Sequence, residues 1–549
     1  MKIGAAQINP TVGDIDTNVK KTLAAIDELT KKGADFAVFP ECAISGYPIK
    51  DIATYKFVIE KCEAGIQKIA KKAEIPVLIG SPRLCAGAIG VRNSAFWIEN
   101  GKVSAVYDKQ LLPNYGALND PRVFDAGHSP LTVRVDDKIV AITICEDIWT
   151  LPDIRTASRY ANHPLPLEQL RGKNIDLLLN ISASVFSDTN DNVRKHGALL
   201  ENVSKFVGAP VFWCNLAGAC DDIVFAGGSC YTDAQKGVSK ALPKFRESID
   251  IIDTDKIVGF NSPSADFNGI ADIHDAIVAA TRDFVVKCGV KKVVVGLSGG
   301  IDSAVVAALA AEAFGGENIL GIAMPSKYSS AHSVNDARAL ADNLKINFEI
   351  LPIAEMVGSI ENTLAPIFRG LPEGVAEENA QSRARGLLLM AVSNKFGGLV
   401  LATGNKSECA VGYCTLYGDT NGAYAPICDV YKTDVYKLAR YINRNGEIIP
   451  QNTISKPPSA ELRPDQKDQD TLPPYDILDA ILRLYLDLRF SPAQIAKAGF
   501  DKNVVDDVLR KVARAEFKRS QYPIGPKISE TRFSTDRQIP VSRSTTLLV

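Results

Sequence analysis

The 549-residue sequence lacks any apolar run of about eighteen residues, the length that a membrane-spanning helix needs. Histidine is scarce: the five are at positions 128, 163, 196, 274 and 332, and none has a metal-site spacing. The 11 cysteines are widely scattered and include no Cys-x-x-Cys pair. The sequence therefore predicts neither a disulfide framework nor a structural zinc site, and a reducing cytoplasm is the expected setting.

An excess of charge of one sign is also missing. The net charge is −2 and 23% of the residues are charged, which suggests neither a nucleic-acid partner nor a membrane surface. The opening Met1-Lys2-Ile3 run stops at Asn9-Pro10 and acidic residues follow, so it is too short and too acidic for a signal peptide. A chain of this length exceeds one ordinary hydrophobic core, so we expect two or more domains.

A glycine-rich stretch from Val293 to Ser303 has the pattern of a strand, a turn and a helix. This arrangement directs main-chain N–H groups toward an anion, with a helix N-terminus behind them. No Gly-Lys-Ser/Thr closes the stretch, so it is not a Walker A loop, and its glycine spacing does not fit the dinucleotide fingerprint. The alternative is a glycine-rich connection that binds no ligand.

The motif Ser-Gly-Gly-Ile-Asp-Ser at 298–303 resembles the pyrophosphate loop of the ATP-pyrophosphatase (PP-loop) family. The resemblance implies that ATP is cleaved between its α and β phosphates, with AMP transferred to a substrate. It also implies that the loop binds ATP through Gly296, Leu297, Ser298, Gly299, Gly300, Ile301, Asp302 and Ser303.

The first half of the chain alternates predicted strands and helices, which suggests sheets covered by helices. The predicted strands are Lys2–Ile8, Asp35–Phe39, Pro76–Ile79, Ser94–Ile98, Val103–Tyr107, Lys138–Ile144, Ile175–Ile181, Val211–Asn215 and Ser229–Thr232. The predicted helices are Asp16–Lys32, Phe57–Lys72 and Val193–Val207.

Three polar residues directly follow predicted strands in this half: Glu41, Lys109 and Cys145. A cysteine is a good nucleophile once its proton is removed, a carboxylate can act as the base, and a lysine can stabilise the developing charge. Taken singly, each could be a core, cap or surface residue. A Cys–His–acid triad lacks a partner histidine, and position 2 is Lys, which excludes an N-terminal cysteine nucleophile.

Together the three residues resemble the nitrilase superfamily, whose triad is Glu, Lys and Cys in that chain order. The surrounding words match as well: Phe39-Pro40-Glu41, Lys109 to Tyr115, and Cys145-Glu146-Asp147-Ile148-Trp149. The resemblance implies an N-terminal nitrilase-like αββα sandwich that hydrolyses an amide.

The second half begins after a stretch rich in Ser, Asn, Asp and Pro, from about Lys244 to Ala271. Its predicted strands alternate with helices, which suggests a doubly wound parallel sheet that binds ligands at the strand C-terminal ends. These strands are Lys291–Val295, Ile319–Met324, Asn347–Leu351 and Gly398–Ala402, with helices at 304–314 and Gln381–Asn394. The predicted domains are 1–245 and 273–533, with a linker at 246–272 and a C-terminal tail at 534–549.

Several short motifs of the second half, taken in order, resemble those of NAD synthetase. They are Glu378 to Gly386, Thr403 to Glu408, Val411-Gly412-Tyr413 with Leu416 to Asp419, Leu472 to Tyr475, and Phe517-Lys518-Arg519. With a nitrilase half in front, the chain resembles the glutamine-dependent NAD synthetases over residues 1 to about 533. The implied fold is α/β: a nitrilase-like αββα sandwich and a Rossmann-like PP-loop (adenine nucleotide alpha hydrolase) domain.

The resemblance implies a carbon–nitrogen ligase with glutamine as the nitrogen donor, acting on deamido-NAD through an acyl-adenylate. By resemblance Tyr115, Ser184 and the position of Asn190 contact glutamine, and Thr403 and Lys432 contact ATP. The resemblance also implies that Asn379, Glu408 and Lys518 hold deamido-NAD and that Asp302 and Glu408 hold Mg²⁺. The family also implies a homo-oligomer, and the fusion of an ammonia producer to an ammonia consumer suggests an internal tunnel.

The sequence departs from the family pattern at three positions. Val185 stands where the family usually has Pro, and Asn190 stands where it usually has Lys, with Arg194 as a candidate replacement cation. Asp120 aligns with an auxiliary Glu, so the charge is kept but the reach is shorter.

Three other readings stay open from the sequence. One is another PP-loop amidating ligase fed by the same kind of glutaminase. The second is an amidase whose C-terminal half is a regulatory nucleotide-binding domain. The third is a nucleotide-sensing scaffold with decayed sites, which predicts losses at the triad or the loop that the sequence does not show.

Overall fold

The computed structural model describes residues 1–151, 157–160, 163, 165–188, 190–235, 237–257, 269–464, 466–533 and 535–546. The chain divides into two compact units, Met1–Asn268 and Gly269–Val549. Among the helices in the described ranges, none is long and apolar enough to cross a membrane.

The first unit contains two six-stranded sheets and a small hairpin. The first sheet has the order β14-β1-β2-β3-β4-β5, the second has the order β13-β12-β9-β8-β7-β6, and β10 pairs with β11. The strands are β1 (Lys2–Gln7), β2 (Phe36–Val38), β3 (Val77–Leu84), β4 (Val91–Glu99), β5 (Lys102–Asp108), β6 (Leu131–Val135), β7 (Lys138–Ile144), β8 (Leu177–Ser182), β9 (Val211–Asn215), β10 (Ala217–Cys220), β11 (Ile223–Ala226), β12 (Cys230–Asp233), β13 (Gly237–Ala241) and β14 (Ser248–Asp253).

The two large sheets of this unit pack face to face. Phe36 and Trp97 of the first sheet share one buried apolar cluster with Ile142 and Phe212 of the second. The outer face of the first sheet is covered by helices α1 (Ile15–Lys31) and α2 (Lys56–Ala70), and that of the second by α3 (Asn190–Val207). Each sheet therefore buries both faces, and the predicted αββα sandwich is confirmed.

The first sheet extends beyond the predicted end of the domain. Strand β14 pairs antiparallel with β1 along its whole length, from Lys2 opposite Asp253 to Gln7 opposite Ser248. The Gln7 side chain also donates to the carbonyl oxygens of Pro243 and Arg246. The predicted linker at 246–272 is therefore corrected at its start, because residues 248–253 complete the first sheet. Residues 258–268 lie outside the described part of the chain.

The second unit is built on a four-stranded parallel sheet with the order β17-β16-β15-β18. The strands are β15 (Val293–Gly296), β16 (Ile319–Ala323), β17 (Asn347–Ile350) and β18 (Leu399–Leu401). The chain order reverses beside β15, so the crevice at the C-terminal ends of β15 and β18 is where a doubly wound sheet binds its ligand. The predicted parallel sheet is confirmed.

The helices of the second unit cover this sheet and extend past it. They are α4 (Ile270–Lys287), α5 (Ile301–Phe314), α6 (Ala331–Leu344), α7 (Ala354–Phe368), α8 (Val375–Phe396), α9 (Lys406–Val411), α10 (Lys432–Ile442), α11 (Gln451–Ser455), α12 (Tyr475–Leu486), α13 (Pro492–Lys497), α14 (Lys502–Arg514) and α15 (Glu516–Arg519). No helix was predicted from the sequence at α6 or α7, or from α9 onward. Helices α12 to α14 bury a second apolar core that includes Leu478, Leu482, Val508 and Val512.

The described part of the predicted tail, residues 535–546, is held by ion pairs. Asp536 pairs with Lys527, and Arg537 and Arg543 both reach the carboxylate of Glu516 at 2.8 and 3.4 Å. This segment therefore contacts the helical core that precedes it.

Candidate active sites

The three polar residues predicted at strand ends of the first unit come together in the structure. Glu41 lies three residues after β2, Lys109 directly follows β5, and Cys145 directly follows β7. Lys109 Nζ lies 2.7 Å from Glu41 Oε1. The charges of both Glu41 and Lys109 act on the Cys145 thiol. Strand ends fix these side chains at one edge of the sandwich.

Lys109 is buried between two carboxylates. Its Nζ lies 2.7 Å from Asp120 Oδ2 as well as from Glu41. Burial lowers the pKa of Lys109, but the charges of Asp120 and Glu41 outweigh it and raise the pKa well above its usual value. Asp120 also accepts the Tyr47 hydroxyl at 2.8 Å. Lys109 is therefore a fixed ammonium ion, and the shorter Asp120 side chain still reaches it.

Each oxygen of Glu41 accepts a hydrogen bond. Oε1 accepts the Asn93 side-chain amide at 2.7 Å in addition to Lys109, and Oε2 accepts the main-chain N–H of Ala183 at 2.8 Å. Asn93 is also buried, and its main-chain carbonyl oxygen accepts the main-chain N–H of Lys109 at 2.9 Å. Asn93 thus fixes the carboxylate and the lysine backbone at once.

Cys145 occupies a sharp turn at the end of β7. Its φ of +43° lies in the left-handed region, which non-glycine residues rarely adopt except where the surroundings enforce it. Burial, followed by the charge of Glu41, raises the pKa of the Cys145 thiol, while Lys109 and the Ala183 N–H oppose this. The resting thiol is therefore protonated and needs a base before it can attack.

Glu146, beside the cysteine, is a buried carboxylate that accepts hydrogen bonds from phenols. Tyr115 donates to it at 2.9 Å and Tyr160 at 2.8 Å. Burial raises the pKa of Glu146 to about 7, opposed by the two phenols and by the charge of Lys109. Among the described residues, none forms an ion pair with Glu146. A buried carboxylate without a counterion is costly, so this site fits a cationic ligand group.

The other residues predicted to contact glutamine are Tyr115, Ser184 and Asn190. Tyr115 points to Glu146, and the main-chain N–H of Ser184 donates to Asn215 Oδ1 at 2.8 Å. Asn190 begins helix α3, but its side chain and that of Arg194 lie outside the described part of the chain.

In the second unit, the glycine-rich stretch connects β15 to α5 as predicted. Gly299 has a φ of +76°, and a Cβ there would lie 2.3 Å from the Ser333 carbonyl oxygen. Only glycine fits this position. Ser303 in the first turn of α5 donates to the Gly300 carbonyl at 3.0 Å, and its Oγ lies 3.2 Å from Ser298 Oγ.

Lys432 at the start of α10 bridges the two predicted metal ligands. Its Nζ contacts Asp302 and lies 3.1 Å from Glu408 Oε1. The Asn405 side chain donates to Asp302 at 2.9 Å. Burial and the charge of Asp302 raise the pKa of Glu408 to about 8, while Lys432 opposes the shift. Burial lowers the pKa of Lys432, but the two carboxylates raise it overall.

These groups lie on the wall of a cavity of about 640 Å³. The cavity brings together every predicted ATP, deamido-NAD and metal residue except Gly299: Gly296, Leu297, Ser298, Gly300, Ile301, Asp302, Ser303, Asn379, Thr403, Glu408, Lys432 and Lys518. The Lys518 ammonium donates to the carbonyl oxygens of Gly412 and Cys414 at 2.8 and 2.7 Å. Asn379 accepts the Thr415 hydroxyl at 2.7 Å.

The sequence analysis missed four side chains of these sites. Glu146 stands beside the predicted nucleophile, and a charged residue directly after an apolar strand could have indicated that it belongs to the site. Asn93 and Tyr160 carried no such signal, because each reaches its site through contacts distant in sequence. Arg385 lies inside the Glu378 to Gly386 motif, but no role was assigned to it.

Both units match known families. Residues 2–257 match the family model of the carbon-nitrogen hydrolases, and residues 273–522 match that of NAD synthase. The glutamine-dependent NAD(+) synthetase of Synechocystis sp. is 40% identical over 554 aligned residues, which cover 99% of this chain and 98% of the relative. The enzyme of that name from Acinetobacter baylyi is 40% identical and covers 98% of both chains.

A solved structure is similar over the same length. The glutamine-dependent NAD+ synthetase from Acinetobacter baumannii, in complex with adenosine diphosphate, is 35% identical and covers 98% of each chain, with a TM-score of 0.77.

Proposed function

The chain belongs to the glutamine-dependent NAD(+) synthetase family, and we propose that it converts deamido-NAD, ATP and glutamine into NAD, AMP, diphosphate and glutamate. The observation that carries the proposal is that one chain holds a buried Glu41–Lys109–Cys145 cluster and a glycine-rich loop beside a nucleotide-sized cavity.

In the first unit, Cys145 is the nucleophile and Glu41 the general base. Glu41 removes the thiol proton, and the sulfur attacks the side-chain amide carbon of glutamine. Lys109 stabilises the negative charge that develops on the carbonyl oxygen. The amide nitrogen takes a proton and leaves as ammonia, and water then hydrolyses the thioester to release glutamate. The arrangement supports these roles because the Lys109 charge is fixed while the resting thiol is protonated.

Glu146 binds the α-ammonium group of glutamine. Its carboxylate is buried beside Cys145 and receives only phenol donors from described residues, so a substrate cation relieves its desolvation. Tyr115 contributes indirectly by orienting that carboxylate. Ser184 and the position of Asn190 remain proposed contacts of glutamine.

In the second unit, the carboxylate of deamido-NAD attacks the α-phosphorus of ATP, and diphosphate leaves. The resulting acyl-adenylate has a good leaving group, AMP, which ammonia displaces to form the amide. The loop from Gly296 to Ser303, together with Thr403 and Lys432, binds ATP, and aligned N–H donors and cations absorb the charge of this step. Asn379, Glu408 and Lys518 hold deamido-NAD.

The residues at the cavity wall fit a magnesium ion. Asp302 and Glu408 present carboxyl oxygens side by side at this wall, and carboxylate oxygens are the ligands that Mg²⁺ prefers. A bound Mg²⁺ supplies charge neutralisation for the phosphates of ATP. Lys432 keeps the two carboxylates together by contacting both.

Three further points belong to the same proposal. Ammonia passes from the first site to the second without release into solvent. Such a transfer suits a chain in which the domain that produces ammonia is fused to the domain that consumes it. Release of most glutamine-derived ammonia into solvent during NAD synthesis would contradict this. A catalytic cysteine must stay a reduced thiol, which suits a reducing cytoplasm. The chain also acts as a homo-oligomer, and light scattering of the purified protein tests this.

The deciding experiment compares wild type with Cys145→Ala in NAD formation from deamido-NAD and Mg-ATP, with either glutamine or ammonium. The variant should lose glutamine-driven synthesis and keep ammonium-driven synthesis, because only the nucleophile of the first unit is removed. Cys62→Ala, which truncates a buried cysteine of helix α2, is the matched control and should keep both activities.

If wild type makes no NAD from either donor, the proposed function fails. The chain would then be a PP-loop ligase of another carboxylate or, if ATP has no effect on glutamine hydrolysis, an amidase.

A further inference from the structure

Five cationic side chains line the cavity of the second unit. They are Lys432, Lys456, Arg463, Lys518 and Arg385. The first three form ion pairs with carboxylates, and the fourth donates to two main-chain carbonyl oxygens. Arg385 differs, because its terminal nitrogens have neither a hydrogen bond nor an ion pair with any residue that the structure describes.

The orientation of Arg385 is nevertheless fixed. It lies on helix α8, and its Nε donates to the carbonyl oxygen of Met324 at 3.1 Å. Burial lowers the pKa of its guanidinium, and the more distant charges of Glu461 and Asp419 only partly offset this. The cation is thus held in place and poorly solvated without a counterion in contact, which is the condition of a group that receives an anion.

The anchor of Arg385 lies beside the phosphate-binding loop. Met324 directly follows β16, the neighbour of β15, and a Cβ on Gly296 would lie 3.3 Å from the Met324 methyl group. The Leu297 N–H donates to the Ile322 carbonyl at 2.8 Å and joins the loop to β16. The guanidinium therefore lies beside the strand ends where a doubly wound sheet binds its nucleotide.

We propose that Arg385 binds a phosphate group of a nucleotide in this cavity through its two terminal nitrogens. The planar guanidinium matches two phosphate oxygens at once, which a lysine ammonium cannot do. The assignment rests on the proposed function, since ATP and the diphosphate of deamido-NAD are the two possible sources of that phosphate.

The test measures NAD formation with ammonium as the nitrogen donor, varying ATP and deamido-NAD separately. Arg385→Gln should raise KM for one of them roughly 10- to 100-fold, as expected when hydrogen bonds to a charged group are lost. Arg383→Gln is the matched control: it lies two residues earlier on the same helix, is exposed, and should leave both KM values unchanged. A rise for ATP assigns its phosphates, and a rise for deamido-NAD assigns its diphosphate.

Arg385→Lys separates charge from geometry. It keeps a cation in the cavity wall and should still raise the same KM, because a point charge makes no paired contact. Unchanged KM values in Arg385→Gln, or a loss of kcat alone, would overturn the assignment. A wild-type KM in Arg385→Lys would overturn the assignment of a paired contact between the guanidinium and two phosphate oxygens. These outcomes differ from failure of the proposed function, in which wild type itself makes no NAD.

Discussion

Each unit of the molecule contains a buried lysine held between two carboxylates, but the two clusters differ in their access to ligands. Around Lys109, both Glu41 and Asp120 are sealed by donors from the protein, and the Glu41 side chain is 0% exposed. Around Lys432, the Asp302 and Glu408 side chains are 19% and 16% exposed at the wall of a cavity.

This difference corresponds to two kinds of chemistry. A sealed cluster keeps water away and holds a base and a cation at fixed positions, as covalent catalysis by a cysteine requires. An open pair of carboxylates has oxygens left for a hard cation and for charged substrates. In the proposed function, the same three residue types thus surround a catalytic lysine in one unit and bind ligands in the other.

Replacement of each lysine should give the largest contrast. Lys109→Met leaves two buried carboxylates without a cation, and we expect a loss of about 3–5 kcal/mol in the free energy of unfolding together with loss of glutamine hydrolysis. Lys432→Met should cost less, about 1–2 kcal/mol, because water and cations reach its carboxylates. All three tryptophans, Trp97, Trp149 and Trp213, belong to the first unit, so their fluorescence follows its denaturation alone.

Circular dichroism follows both units and reports the effect of Lys432→Met. Adding Glu41→Gln and Asp120→Asn to Lys109→Met should restore folding without activity, because the uncompensated charges are gone. Equal costs for the two lysine variants would contradict the distinction between sealed and open clusters.

Glu146→Gln tests whether the buried carboxylate beside Cys145 recognises the ammonium group of the substrate. We expect KM for glutamine to rise roughly 10- to 100-fold, since the substrate ammonium loses its counterion. Hydrolysis of 4-carbamoylbutanoate, which lacks the α-amino group, should not change. In wild type, KM for glutamine should rise as the pH falls through about 7, where Glu146 becomes protonated, and the variant should not show this rise.

Tyr160→Phe removes one of the two phenols and should have a smaller effect than Glu146→Gln. Equal losses for glutamine and for 4-carbamoylbutanoate in Glu146→Gln would exclude recognition of the ammonium group.

Asn93→Leu tests how far the base depends on its orientation. Removing the amide donor leaves Glu41 with two of its three donors, and we expect kcat for glutamine hydrolysis to fall about 10-fold with KM unchanged. Ammonium-driven NAD synthesis is the internal control and should stay at the wild-type level. A change in KM alone would mean that Asn93 shapes the substrate pocket instead of holding the base.

His274 gives the smallest expected effect and concerns the second unit alone. Its ring nitrogens lie 2.9 Å from Asp275 Oδ1 and 3.0 Å from Glu312 Oε2, and its ring packs against Tyr441. Although burial opposes it, these carboxylates raise the pKa of His274 from 6.5 to about 9. Because the folded-state pKa is raised, the stabilisation is complete below pH 6.5 and is lost as the pH rises through 9.

His274→Gln should therefore lower the free energy of unfolding by about 1 kcal/mol at pH 6, after allowance for solvent screening of the exposed carboxylates, and by nothing above pH 10. Circular dichroism at both pH values measures the difference. Tryptophan fluorescence should be the same in variant and wild type, and a constant difference at all pH values would exclude the ion pair as its cause.

The sequence was sufficient to predict the residues that stand at strand ends. Glu41, Lys109 and Cys145 follow short apolar strands, and the loop from Gly296 to Ser303 joins a strand to a helix. The local sequence pattern was therefore enough to predict their positions in the fold. Asn93 and Arg385 were not predictable in this way, because their roles depend on partners 52 and 61 residues away along the chain. The helices α12 to α15 were not predictable from strand–helix alternation, because this segment contains no strand.

Strand β14 was missed for a different reason. The stretch from Lys244 to Ala271 is rich in polar residues, and this composition obscured the alternation of Ile249 and Ile251 with polar neighbours. What makes it a strand is the free edge of β1, which a sequence pattern alone does not display.

The pairing of β14 with β1 also has a consequence for synthesis of the chain on the ribosome. Strand β1 emerges before β14 and obtains this neighbour only after residue 253 has left the exit tunnel, so one edge of β1 stays unpaired while the intervening residues are made. An exposed edge of this kind is a site of intermolecular association during translation. A truncated first unit that ends at residue 245 would keep that edge permanently, whereas one that ends at residue 257 would cover it.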